Sequence, residues 1–195
     1  RALPNSVRID PTGQVLELLY TVDGGRYCAN PRCTEPPGPA GDPLRFNGSD
    51  TTFDVMGPLA NAGAIIPASH WLVINNLTTT GSFYNAYNCP IAGSTHNCVR
   101  LSGATNLGAS PPHIVLAAAF APTAPSLASP RQRFFVVDTP VTFLCDTTAR
   151  TLTRYSGYPM VADHTTIDTP AELNAQPGVQ SARAAESVSA CAFTY

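Results

Sequence analysis

SPRQRFFVVDTPVTFLCDTTARTLTRYSGY, residues 129–158, decides the class of fold. It is crowded with Phe, Val, Thr and Tyr, whose branched or planar side chains suit a pleated surface. RFFVVD, VTFLCD and TLTRYSGY read as three successive strands. Asp138-Thr139-Pro140 separates the first two, and Asp146 to Arg150 turns the chain into the third. In VTFLC, alternation puts Val141, Phe143 and Cys145 on one face, so Cys145 stands beside core residues, where a structural disulfide fits. The stretch carries no evident nucleophile or general base.

The rest of the chain extends this pattern. QVLELLYTV (14–22) is a buried strand or a short helix; the flanking Thr12-Gly13 and Asp23-Gly24-Gly25 favour a strand bounded by turns. LRFNG, TTFDVMG, HWLVINNL, NCVRLSGA and HIVLAAAFA read as further short strands. ESVSACAFTY, at the end of the chain, alternates like one. CANPRCTEPPGPAGDP (28–43) is too proline-rich to continue a regular element and reads as a surface loop. Residues 162–180 read as irregular, with one helical turn at Pro170 to Leu173. Arg1 to Leu3 reads as the tail of a helix stopped by Pro4. The fold class is therefore α+β, mainly β with antiparallel sheets, in a single domain over residues 1–195.

Composition narrows the function. The chain is 44% hydrophobic and 12% charged, with a net charge of −2, and each of its 11 cationic side chains is arginine. That gives neither a basic stripe for nucleic acid nor a polybasic membrane anchor. No signal peptide is visible, and no apolar run approaches the roughly 20 residues that a spanning helix needs.

Six cysteines stand at positions 28, 33, 89, 98, 145 and 191. An even count in a chain rich in Gly and Pro and poor in charge points to an oxidising, extracytoplasmic setting. Zinc would need paired C-x-x-C or Cys/His spacing, which is absent. The spacing favours Cys28–Cys33 and Cys89–Cys98 as loop-sized bridges. Cys145–Cys191 would join two strand-like segments.

Candidate chemistry is sparse. His70, His96, His113 and His164 show no metal-ligand helical spacing, and neither H-E-x-x-H nor G-x-S-x-G occurs. Asp50 with Asp54, and Asp163 with Asp168, are paired carboxylates of the kind used in glycoside hydrolysis or calcium binding, but loop aspartates also simply form turns. Asp23-Gly24-Gly25 lacks the lysine of a phosphate loop. Asn47-Gly48-Ser49 and Asn76-Leu77-Thr78 are formal glycosylation sequons. TTTGSFYNAYNCPIAGSTHNC offers Tyr84, Asn85 and Tyr87 as an interaction loop able to stack on a sugar or a host surface. The plainer alternative makes Trp71 a core residue and the tyrosines the packing of the loop.

RALPNSVRI, LELLYTVDGGRY, FDVMGPL, WLVINNL, SPRQRFFVVDTPVTFLCD, TLTRYSGY and ESVSACAFTY, in that order, resemble the globular region of minor type IV pilins. The resemblance is to the MshO type of the MSHA (mannose-sensitive haemagglutinin) pilus, and more distantly to PilW minor pilins and GspJ pseudopilins. It implies a pilin-like head of antiparallel sheets whose N-terminal anchoring helix is truncated, with RALPN as that helix's last turn. It also implies a chain continuing beyond Tyr195 and a staple between Cys145 and Cys191 in family-like strands. The implied role is priming or capping of filament assembly, with possible help in surface adhesion. The implied partners are other minor and major pilins and, through the helix, the inner-membrane assembly machinery. Such a protein is not an enzyme and needs no cofactor. It would lie in the bacterial inner membrane and periplasm before assembly, and on the extracellular pilus afterwards. Arg131, Arg133 and Arg154 could then meet carboxylates of neighbouring pilins. The alternative function is a secreted β-rich binding module recognising a carbohydrate or a surface.

Overall fold

The computed structural model describes residues 1–29, 41–81, 84–90, 97–120 and 128–195. Nearly all regular structure in them is β: β1 (Arg8–Ile9), β2 (Val15–Arg26), β3 (Thr52–Asp54), β4 (Trp71–Val73), β5 (Cys98–Arg100), β6 (His113–Val115), β7 (Arg133–Asp146), β8 (Thr151–Ser156) and β9 (Gln180–Glu186). One short helix, α1 (Pro170–Asn174), precedes β9. The fold is mainly β with antiparallel sheets. The chain divides into two compact units, Arg1–Tyr20 with Thr139–Tyr195, and Thr21–Asp138. The division falls within β2 and within β7.

In the first unit β1 pairs with the start of β2, Arg8 opposite Glu17 and Ile9 opposite Leu16. The second half of β7 pairs with β8, from Val141 opposite Ser156 to Asp146 opposite Thr151, and β8 pairs in turn with β9. Val15, Leu144, Tyr155, Tyr158, Ile167 and Leu173 form this unit's apolar core. Leu173 reaches it from α1, whose start is fixed by a capping box. The Thr169 hydroxyl accepts the Glu172 N–H at 3.3 Å, and the Glu172 carboxylate accepts the Thr169 N–H at 3.1 Å.

In the second unit β4 lies between β5 and the first half of β7, while β3 and β6 make a separate two-stranded sheet. Its core is aromatic. Phe53 meets Phe134 edge-on at 5.5 Å between centroids, and Tyr27 meets Phe53 and Phe46 in the same manner. Gly24 and Gly25 are part of β2 rather than a turn ending it. A Cβ on Gly25 would come within 2.9 Å of the Phe134 ring, and one on Gly24 within 3.0 Å of the Phe134 carbonyl oxygen. Here glycine supplies room for an aromatic neighbour.

Several segments depart from the sequence reading. Residues 1–3 are not a helix end. Ala2 bridges to Tyr20, the Leu3 N–H donates to the Leu19 carbonyl at 2.8 Å, and Leu3 is fully buried. A sheet edge satisfies these groups, so Pro4 terminates a bridge. RFFVVD and VTFLCD are one strand, β7. Val137 is the last residue paired with β4 and Val141 the first paired with β8, so Pro140 sits where neither ladder requires its missing N–H. LRFNG forms no strand. ESVSACAFTY is not a strand either. β9 ends at Glu186, where that segment begins, and Ser187 turns away at φ 60°. The tail is held instead by the Val188 N–H on the Arg150 carbonyl, by Cys191 and by the Phe193 N–H on the Gly13 carbonyl at 2.7 Å. The expected helical turn at Pro170 to Leu173 lies within α1.

Candidate functional site

Within the sequence-predicted interaction loop, of which residues 82, 83 and 91–96 lie outside the described residues, the stretch 85–89 is buried. Asn85 and Tyr87 are 2% and 1% exposed, which corrects their assignment as contact residues and agrees with the packing alternative. The Asn85 side chain accepts the Tyr87 N–H at 3.1 Å and donates to the Gly81 carbonyl at 3.2 Å, so its amide ties the loop to itself. Tyr84 is half-buried, with a left-handed backbone (φ 54°) and a carbonyl that accepts from Leu77 and Thr78. Trp71 is partly exposed and carries the Arg100 guanidinium 4.4 Å above its ring, a cation–π contact. Both sit on paired strands, opposite each other.

Cys89 and Cys98 stand at disulfide distance, with Cα atoms 5.8 Å apart, and so do Cys145 and Cys191, at 6.4 Å. Cys28 is also disulfide-bonded; its expected partner, Cys33, lies outside the described residues, as does His96.

Two of the described histidines lie against carboxylates, and a third, His164, does not. His113 Nδ1 lies 2.8 Å from Asp54 Oδ1, with both side chains partly exposed. Asp54 Oδ2 in turn accepts the Asp42 N–H at 2.8 Å. This orients an imidazole as a general base would need, yet no hydroxyl bonds to it among the described contacts. His70 is buried. Its Nδ1 accepts the Ile66 N–H at 3.1 Å, and its Nε2 lies 3.6 Å from Asp138. Burial pushes its pKa below the ordinary value, against the pull of Asp138. His164, on a 3₁₀ turn, is also pushed down by burial first, and its Nε2 is buried without a hydrogen-bond partner. Of the paired carboxylates, Asp50 accepts the Arg45 N–H and Asp163 caps the turn at Thr165. Among the described residues no group of three His, Cys, Asp or Glu is placed to hold a metal ion.

The first unit has a cleft of about 350 Å³ lined by Asp10, Thr12, Asp146, Thr148, Asp168 and Thr169, among others. Its walls are mostly turn caps. Burial raises the pKa of Asp10, but hydrogen bonds from the Thr12 hydroxyl and the Val15, Thr12 and Gln14 amides outweigh this and hold it below the usual carboxylate range. Asp146 accepts the Thr148 and Ala149 amides. Asp168 is pushed up by burial and then by the nearby Glu172.

A charged network in the same unit went unread in the sequence. Glu17 is fully buried, and Arg8 is nearly so. Arg8 Nε donates to Glu17 Oε1 at 2.9 Å and Nη2 lies 2.7 Å from the same oxygen, while its other donors reach the Ala162 and Val161 carbonyls. Glu17 Oε2 accepts the Tyr158 hydroxyl at 2.7 Å and the Thr142 hydroxyl at 3.2 Å. Burial, then the charge of Glu17, pushes the Tyr158 phenol far up, so it stays protonated and donates. The signal was in the alternation: Val15, Glu17 and Leu19 face the same way, and a carboxylate at an inward position demands a buried cation.

Among the described residues no helix is long and apolar enough to cross a membrane. No family model, curated protein or solved structure matches the chain.

Proposed function

We propose that the chain is the globular head of a minor type IV pilin-like protein, acting through contacts with other pilins rather than through catalysis. One observation carries the reading. Six of the seven blocks that resemble minor pilins overlap strands: RALPNSVRI β1, LELLYTVDGGRY β2, FDVMGPL the end of β3, WLVINNL β4, SPRQRFFVVDTPVTFLCD β7 and TLTRYSGY β8, whereas ESVSACAFTY starts only at the last residue of β9. The resembling blocks thus belong mostly to the strand framework. Cysteine pairs at disulfide distance suit a head that works outside the reducing cytoplasm. In this reading the anchoring helix ends before Ala2, because Ala2 and Leu3 already belong to the sheet. The inner membrane and periplasm would be its stations before assembly, and the filament surface or tip afterwards.

Deleting the gene and counting surface filaments tests the proposal. Loss or shortening of filaments is the expected outcome, restored by the intact precursor. Unchanged filaments together with unchanged surface attachment would overturn it. Of the three residues of the adhesive-loop alternative only Tyr84 is even partly exposed, and it packs against the aromatic core, so the assembly role is preferred.

A further inference from the structure

We propose that Asn47 is a self-modifying residue whose side-chain amide cyclises onto the Gly48 nitrogen in the folded protein, ending as aspartate or isoaspartate. Asn47 and Gly48 are both exposed, in the turn that leads toward β3. Gly48 has φ 81° and no Cβ, so nothing on its own side chain shields its nitrogen from the preceding residue. Asn47 Oδ1 accepts three hydrogen bonds, from the Ser49 N–H at 3.0 Å, the Ser49 hydroxyl at 3.1 Å and the Asp50 N–H at 3.0 Å.

Those donors converge on the oxygen that gains negative charge during cyclisation. Water or hydroxide removes the Gly48 amide proton, and the nitrogen attacks Cγ of Asn47. The tetrahedral intermediate places its charge on Oδ1, where the three donors stabilise it as an oxyanion hole does. The Cγ–Nδ2 bond then breaks. Ammonia leaves with a proton taken from water, and a five-membered imide remains. Water opens that ring at either carbonyl, giving aspartate or isoaspartate, with no change of oxidation state. The isoaspartate product has one more backbone carbon and a new negative charge, and it loses the amide geometry that holds Ser49 and Asp50.

The other sequon asparagine is a contrasting control. Asn76 is 6% exposed, its Oδ1 accepts the Ala86 N–H at 2.9 Å, and the residue after it is Leu77. Burial and a bulky following residue both oppose the same reaction.

The test incubates the folded chain, disulfides intact, at neutral to mildly alkaline pH beside a denatured sample. Peptide mass mapping and enzymatic isoaspartate labelling follow both. Asn47 is expected to lose its amide in the folded chain at a rate within about tenfold of the denatured one, while Asn76 keeps its amide. Ser49→Ala, at an exposed position, removes one donor to Oδ1 and should slow the folded rate roughly three- to tenfold. An Asn47 that stays intact in the folded chain while the denatured chain converts would overturn the proposal. So would a Ser49→Ala rate equal to the parent's, because the one donor that can be removed without touching the backbone would then contribute nothing.

Discussion

The two units solve the same problem, filling the interior beside a sheet, with different chemistry. In the unit of Thr21–Asp138, Tyr27, Phe53, Phe120 and Phe134 bury large rings whose contacts are mostly edge-on or tilted. In the unit of Arg1–Tyr20 with Thr139–Tyr195, a smaller apolar cluster adjoins a buried ion pair and two hydroxyls. Aromatic burial is non-directional and tolerates modest repacking. A buried charge network tolerates little, because each partner removed leaves an uncompensated group in a low-dielectric interior. Each unit is therefore brittle in its own way, one to changes of volume, the other to changes of valence.

The sharpest way to break this contrast is Arg8→Met. It keeps much of the side-chain volume but leaves the Glu17 carboxylate buried with only two neutral donors, and it strips donors from the Val161 and Ala162 carbonyls. A loss of roughly 3–5 kcal/mol in denaturant unfolding is expected. Arg8→Met combined with Glu17→Leu should recover most of it, since removing both charges also removes the desolvation penalty. If the double variant were no better than the single one, the charges would not be what makes this unit brittle.

Next in size is the staple on the same unit. Cys145 and Cys191 are 46 positions apart, and the tail that Cys191 anchors has no strand of its own. Replacing both by serine removes a constraint on the unfolded chain worth about 3–4 kcal/mol in a chain-entropy account. Hydrogen exchange should show the loss at the Val188 and Phe193 amides, which donate from the tail to Arg150 and Gly13. Unchanged protection there would mean that the tail is held by its hydrogen bonds alone.

For the aromatic unit the matching test is one of volume. Gly25→Ala would bring a methyl group to within 2.9 Å of Phe134 and 3.2 Å of Leu59, a close fit expected to cost about 1–3 kcal/mol. Phe134→Leu in the same chain should relieve part of that cost, although Phe134→Leu alone is destabilising.

The contrast also governs what could be read in advance. β2, β4, β7 and β8 are legible because their β-branched and aromatic residues alternate or run together. Phe134, Val136 and Leu72 announce a core from sequence alone. β9 is not legible: QSARAAE is alanine-rich, exposed along most of its length, and forms a strand because β8 offers it an edge. The Asp23-Gly24-Gly25 run has turn chemistry, yet it remains in β2 because Phe134, over a hundred positions away, needs the space. The polar network is half legible. Parity places Glu17 inward, but no local signal points to Tyr158 and Thr142 as its other partners, because they arrive through long-range pairing. In the interaction loop, aromatic and amide residues suggested a binding surface, whereas Asn85 is used to hold Tyr87 and Gly81.

The smallest expected effect is on the pH dependence of stability. Among the described residues each unit holds one histidine whose pKa is lowered first by burial: His70 beside Asp138 in the aromatic unit, and His164 near Glu17, Arg8, Asp168 and Asp10 in the polar one. A base whose folded pKa lies below its ordinary 6.5 binds fewer protons folded than unfolded. Stability from this source is therefore complete above the unfolded pKa. It declines as pH falls through the interval down to the folded pKa and is constant below it. The denaturant midpoint should fall on acidification through that interval. His70→Gln and His164→Gln should each flatten part of the slope. The lowering at His70 is opposed by a single carboxylate, and at His164 by three carboxylates with one guanidinium reinforcing it. Added salt should therefore alter the His164-dependent part of the slope more than the His70-dependent part. Equal salt responses would mean that burial alone sets both histidines, and that the polar unit's charges do not reach His164.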